Sequence, residues 1–356
     1  MNILILGGTG AMGSSLVELL RESNNKVWVT SRGDRVNSEN VNYIKGNAHD
    51  LKFLQRILEN RHYQAVIDFM AYSTKEFCER VDLLLDNTEQ YFYLSSSRVY
   101  AENTDYITES SQRLLDVSKD KEYLATDEYA LAKARQENIL FSKKKKNWTI
   151  IRPYKTYNNY RFQLGMYEKE EWLYRVLLGK TLVFPREMTN KVTTLTFGND
   201  VARSILRLIG EPKAYGEAFH ITSEQAITWG EIIEIYSEII RKKTGIKMKV
   251  QYQDDINVFF QIWNRYQIIY DCNLNRKFDD RKNQYVIGKK IDYLDIHKGL
   301  GECLEAFIES PNWRSINWKV QKWMNVLTEE EIRISEIPGI REKMRFVKYG
   351  ILDRAT

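Results

Sequence analysis

Asn2-Ile3-Leu4-Ile5-Leu6-Gly7-Gly8-Thr9-Gly10-Ala11-Met12-Gly13 is an aliphatic run that ends in a glycine turn. Asn2 to Leu6 has no polar alternation, so it reads as a strand covered on both faces. Met12 to Glu22 then carries Met12, Leu16, Leu19 and Leu20 at helical spacing. The glycines at 7, 10 and 13 form GxxGxxG between strand and helix. In that context the first permits a tight turn, the second lets the backbone approach a pyrophosphate, and the third lets the helix close on the sheet. The helix N-terminus adds N–H donors and positive dipole for an anion. Gly7, Thr9, Gly10, Ala11 and Met12 are the expected contacts.

The pattern continues outward. Strands are expected at Lys26 to Thr30, Tyr43-Ile44, Ala65 to Met70, Tyr91 to Ser95 and Trp148 to Ile151. Helices are expected at Asp50 to Glu59, Thr74 to Asp86 and Thr126 to Lys143. This alternation predicts an α/β fold, a Rossmann-type doubly wound parallel sheet. After Arg152 the pattern loosens. Val201 to Ile209 and Gly230 to Lys242 read as helices and Ala218 to Ile221 as a strand. The last hundred residues, rich in Trp, Tyr and Asn, are less regular.

Composition excludes several classes. With 43% hydrophobic and 28% charged residues over 356 positions, the chain is neither disordered nor membrane-like. No apolar run reaches the roughly 18 residues of a spanning helix. The start lacks a basic leader segment, so the expected location is cytoplasmic. Three cysteines and four histidines lack disulfide or metal-ligand spacing, and no metal is expected. A net charge of +5 suits an anionic small molecule better than nucleic acid.

The second strand ends in Thr30-Ser31-Arg32-Gly33, with no carboxylate before Asp34. An arginine there can grip a 2′-phosphate, whereas a carboxylate would repel it. Ser31 and Arg32 therefore favour NADP(H) over NAD(H). Tyr129-Ala130-Leu131-Ala132-Lys133 puts a phenol and an ammonium on one helix face, where the cation favours phenolate. Ser95-Ser96-Ser97-Arg98-Val99-Tyr100 ends the fifth strand, where open α/β sheets bind ligands.

GxxGxxG, SSxxVY, YxxxK and Arg152-Pro153 occur in the order that resembles the short-chain dehydrogenase/reductase superfamily, in its extended epimerase/dehydratase branch of nucleotide-sugar enzymes. The resemblance runs from Met1 to about Ile240. It implies a catalytic hydroxyl at Ser96, proton transfer by Tyr129, and Lys133 holding the nicotinamide ribose and tuning the tyrosine. Ser95 would also face the cofactor. Asn47 and Ala48 take the place of the family's adenine-side aspartate segment. Phe69, Met70 and Ala71 would flank the cofactor, and Arg152-Pro153-Tyr154 would wrap its nicotinamide end. Ser97, Arg98, Tyr72 and Lys191 are substrate-side candidates. The resemblance divides the chain into an NADP-binding domain, 1–155, and a smaller carboxy-terminal substrate lobe, 156–356, with segments returning to the sheet around 195–222.

Trp148 to Pro153 and Glu171 to Lys180 are similar to chloroplast stem-loop-binding proteins, which bind RNA, and to bacterial relatives that resemble 4-ketoreductases. Ala101 replaces the usual glycine after the VY pair, Ser97-Arg98 stands where dehydratases carry Asp-Glu, and Lys191 stands where an arginine grips the diphosphate. The second departure argues against a 4,6-dehydratase. The leading expectation is NADPH-dependent reduction of a nucleotide-linked 4-keto(-6-deoxy) sugar. The alternatives are an epimerase with retained NAD(P), net oxidation of a sugar alcohol, an RNA-binding protein and a cofactor-sensing regulator. The resemblance also allows a homodimer paired through long helices.

Overall fold

The computed structural model describes residues 1–354, with the side chains of Ala11 and of residues 349–354 outside the description. Two compact units divide the chain. The first holds Met1–Asn158, Thr194–Ala226 and Asn275–Ile296. The second holds Asn159–Thr193, Ile227–Leu274 and the chain from His297 onward.

The first unit is built on β1 (Asn2–Leu6), α1 (Ala11–Arg21), β2 (Lys26–Ser31), β3 (Val41–Lys45), α2 (Leu51–Glu59), β4 (Tyr63–Asp68), α3 (Thr74–Asp86) and β5 (Thr88–Leu94). The short helices α4 (Leu114–Val117) and α5 (Lys121–Leu124) precede α6 (Tyr129–Ser142) and β6 (Trp148–Pro153). The strand Glu217–Ile221 completes a seven-stranded sheet in the order Glu217–Ile221, β6, β5, β4, β1, β2, β3. Each of these neighbours is parallel, with Ile3 opposite both Val27 and Ala65. His220 lies opposite Arg152. Phe53, Leu54, Phe77 and Leu140 cover one face of the sheet. Leu16 and Leu20 of α1 cover the other, with Val201 and Ile205 of the helix Gly198–Leu208. Helices on both faces force the strands to be apolar throughout, as the sequence reads. The fold is Rossmann-type α/β. Its strand order reverses between β1 and β4, so their carboxyl ends form the crevice where such sheets take ligands.

Local chemistry sets the element ends. Asp50 caps α2 by accepting from Lys52 N and Phe53 N. Ser73 and Glu76 form a reciprocal capping box at α3, a device of the kind that contributes about 1 kcal/mol. Strands β3 and β5 are longer than the sequence suggests, because their polar residues Asn42 and Gln90 lie in register with sheet neighbours. The Lys143–Lys146 run is a solvated helix end, with Lys143 paired to Asp82 at 2.5 Å.

The second unit contains a parallel pair, Leu182–Pro185 with Val250–Gln253. Its helix Trp229–Thr244 is capped by Thr228 and Glu231 and closed by Gly245 at φ +75°. Trp172 stacks on Tyr236 with ring centroids 4.5 Å apart. Tyr174 meets Trp313 and Trp318 edge-on, and Trp323 packs on Trp263 and Phe259. The stretch expected to be irregular contains the helices Ile296–Glu309, Trp318–Thr328 and Ile340–Arg354. In Trp318–Thr328 the buried set includes the polar Gln321, whose amide donates to Glu171 O at 2.8 Å, and that breaks the apolar period. Among the described residues no helix is long and apolar enough to cross a membrane. No group of three or more His, Cys, Asp or Glu is placed among them to share a metal ion.

Candidate active site

The glycine turn follows β1. Gly7 has φ +72°, and a Cβ on it would lie 2.8 Å from Met70 Sδ, so the turn and the end of β4 are in contact. Its N–H donates to Thr30 Oγ1 at 3.1 Å. A Cβ on Gly13 would lie 2.7 Å from the Gly8 Cα, and one on Gly8 would meet Val29 and Ile5. Gly8 is thus required alongside Gly7 and Gly13, although GxxGxxG spacing does not mark it. Around Gly10 a Cβ would meet nothing within 4 Å. Gly10 also caps α1, leaving an open N-terminus at the sheet's reversal point. The cradle fits a dinucleotide pyrophosphate. Thr9 is exposed and Met12 half-buried beside it; Ala11 opens α1.

At the end of β2, Ser31 is buried and donates to Gly33 O at 2.9 Å, while Arg32 is exposed. Asp34, the first carboxylate beyond the strand, is held 2.8 Å from Lys45. Asn47 is exposed and accepts from His49 N; Ala48 is buried. Phe69 and Met70 are half-buried and Ala71 exposed after β4.

The catalytic candidates gather at the ends of β5 and α6. Tyr129 is the first residue of α6 and 40% exposed, at the positive end of the helix dipole. One turn on, Lys133 is 2% exposed and donates to Leu94 O at 2.7 Å. Its Nζ lies 5.8 Å from the Tyr129 ring centroid and 4.7 Å from that of Tyr93. Burial pushes the Lys133 ammonium down to about 8, against the opposing pull of Asp68 and Glu137. Ser96 caps the 3-10 turn Ser97–Val99 by accepting from Arg98 N at 3.2 Å. An acceptor in that bond, Ser96 keeps its own O–H for donation.

Several of the residues expected to contact ligands have partners within the protein. The Ser95 hydroxyl donates to Glu137 Oε1 at 2.6 Å, and the Ser97 hydroxyl to Arg152 O at 2.8 Å. Tyr72 is 5% exposed and its hydroxyl reaches Asp68 at 3.4 Å. Each hydroxyl sits beside a buried acceptor, which takes its donor. Arg152 makes a bidentate pair with Glu137 at 2.7 and 2.8 Å, so the guanidinium points into the protein. Pro153 ends β6 opposite Ile221, and Tyr154 is buried against Phe278. Asp200, within Asp200-Val201-Ala202, is buried and accepts from Leu294 N. Lys191 belongs to the second unit.

Sequence reasoning missed Glu137. It accepts from Ser95, Arg152 and Arg113, tying α6 to the ends of β5 and β6. The signal was present, since Tyr129, Lys133 and Glu137 follow at i, i+4 and i+8. A second buried chain runs from Arg152 to the Tyr100 oxygen at 2.5 Å and on to His220 Nε2 at 2.7 Å. His220 Nδ1 reaches Asp279 O at 3.2 Å. Burial and the Arg152 charge drive His220 down to about 3. The imidazole is therefore neutral and satisfied.

A parallel sheet with an open glycine cradle and a Ser, Tyr and Lys at its carboxyl edge defines the class of dinucleotide-binding Rossmann proteins. Residues 3–222 match the NAD dependent epimerase/dehydratase family, and the chain belongs to that family. It is 27% identical over 244 residues to the chloroplast stem-loop binding protein of 41 kDa b from Arabidopsis thaliana. That match takes in 64% of this chain and 60% of the relative's length, so the chain spans less than two thirds of that protein. Among solved structures it is similar to UDP-glucose 4-epimerase with UDP-glucose from Thermotoga maritima (TM-score 0.67, 18% identity, 88% of this chain and 100% of that one). It is also similar to dTDP-glucose 4,6-dehydratase in complex with NAD from Bacillus anthracis (TM-score 0.65, 17% identity, 88% and 98%).

Proposed function

We propose that the protein is an NADPH-dependent reductase of a nucleotide-linked 4-keto sugar. Gly7, Gly10 and the α1 N-terminus would hold the pyrophosphate, and Arg32 the 2′-phosphate. The second unit would carry the substrate lobe. The bound dinucleotide supplies hydride exchange at the sugar carbon. Tyr129 gives its phenolic proton to the oxygen as negative charge develops there. Ser96 donates a hydrogen bond to the same oxygen, and Lys133, held on Leu94 O, keeps the phenol poised. The observation that carries the reading is the buried Lys133 one helical turn from an exposed Tyr129, with Ser96 two residues beyond the carbonyl that holds the lysine. The 2′-phosphate preference rests on Arg32 and on the pairing of Asp34 with Lys45.

Epimerisation is the second reading, favoured by the likeness to the Thermotoga maritima epimerase. It uses the same three residues, but the cofactor returns to its starting state in each cycle. RNA binding is less well supported, because Trp172, Trp313, Trp318 and Trp323 engage other rings. The test is a panel of UDP-, dTDP-, GDP- and CDP-linked 4-keto sugars with NADPH, alongside the corresponding sugars with catalytic NAD. Stoichiometric NADPH oxidation supports reduction; isomerised sugar without net oxidation supports epimerisation. Tyr129→Phe lowers turnover by roughly a hundredfold or more, the scale of a lost general acid, with cofactor affinity close to wild type. Unchanged turnover refutes the role.

A further inference from the structure

Arg98 occupies a position that neither the glycine cradle nor the Ser96–Tyr129–Lys133 set explains. Its guanidinium carbon lies 5.1 Å from the Tyr129 ring centroid. Its Nη2 is 2.8 Å from Glu128 Oε1, in a pair whose side chains are 17% and 4% exposed. The other Glu128 oxygen caps α6 through Ala130 N at 2.8 Å and takes the Tyr123 hydroxyl at 3.3 Å. The Arg98 backbone N–H meanwhile donates to Ser96 Oγ. One residue therefore touches the hydroxyl through its main chain and the phenol through its side chain.

We propose that Arg98 is a positioning residue that sets the Ser96 oxygen as an acceptor and, clamped by Glu128, holds a second cation against the Tyr129 ring. The inference rests on the proton-transfer role proposed for Tyr129 and adds the device that orients and tunes it. A planar guanidinium suits the task better than an ammonium, since it stacks on a ring while its edge grips a carboxylate.

The charged and titratable groups around Tyr129 include Glu128 and Lys133 on α6, Arg98 on the 3-10 turn, and Tyr93 on β5. Asp68 at the end of β4 acts on Lys133. Opposite charges in the clamp give opposite signs. Arg98→Met removes a cation and leaves the Glu128 charge without its guanidinium partner, so the phenol becomes harder to ionise. Glu128→Gln removes an anion beside the same ring, so the phenol becomes easier to ionise.

The test is a pH titration of protein labelled with ¹³Cζ-tyrosine, without cofactor or substrate, the Tyr129 signal being assigned by its loss in Tyr129→Phe. Relative to wild type, Arg98→Met shifts the Tyr129 midpoint up and Glu128→Gln shifts it down, each by roughly half a unit to one unit. Arg98→Lys stays nearer wild type than Arg98→Met. If Arg98→Met folds poorly, Glu128→Gln and Arg98→Lys carry the measurement. Midpoints that coincide in all variants, or that move together in one direction, overturn the clamp. Normal turnover in Tyr129→Phe would instead overturn the proton-transfer reading and leave this titration standing.

Discussion

Lys133 shows how a proposed catalytic role and stability oppose each other in one side chain. Its ammonium is buried and lowered to about 8. A folded value below the unfolded one means that its contribution to stability is present above about pH 10.5 and is lost as pH falls through about 8. At neutral pH the buried charge therefore costs on the order of 3 kcal/mol. Lys133→Met is expected to abolish turnover while leaving the melting temperature at or above that of wild type near pH 7. Calorimetry at pH 7 and pH 10 checks this: wild type gains stability relative to the variant as pH rises. Arg32 poses the complementary case, an exposed residue with no structural duty evident. Arg32→Glu is expected to weaken NADPH binding tenfold or more, the scale of replacing attraction by repulsion at a phosphate, and to affect NADH far less. Equal dissociation constants for NADPH in both proteins would remove Arg32 from the site.

Among the elements, the β1–turn–α1 unit is the most tightly specified. Gly13 sits against the Gly8 backbone, with no flexible side chain to yield. Gly13→Ala is expected to destabilise by about 1–3 kcal/mol, the range for overpacking, and to weaken dinucleotide binding, as read by denaturant unfolding and cofactor titration. This element was legible in the sequence because glycine spacing, strand apolarity and helix period all point to one geometry. So was the single face of α6 that carries Tyr129 and Lys133. The fate of the hydroxyls was not legible. Ser95, Ser96 and Ser97 are consecutive and chemically identical, yet Ser95 bonds Glu137, Ser97 bonds the Arg152 carbonyl, and Ser96 caps a turn. Ser95 and Ser97 take partners 42 and 55 residues away, whereas that of Ser96 is two residues on.

For the molecule as a whole, the buried chain Arg152–Tyr100–His220–Asp279 ties β6 and the strand Glu217–Ile221 to two loops within the first unit. His220 falls to about 3 in the fold, below its unfolded value near 6.5. Its contribution is present above pH 6.5 and lost as pH falls through about 3, at up to about 1.4 kcal/mol per pH unit between them. Stability measured by urea unfolding is expected to drop across that window, and His220→Gln to flatten the drop. A slope identical in both proteins would show that other groups govern acid unfolding.

Local patterning alone determined the doubly wound sheet, the glycine cradle and the spacing of the phenol and ammonium, because backbone sterics and periodicity act over a few residues. Tertiary structure decided the rest: Glu137 as the anchor of α6, Arg98 against Tyr129, the inward turn of Arg152 and the three helices in the aromatic-rich end. Buried charges and rings take their partners from distant strands and helices, and only the folded chain brings those partners within bonding reach.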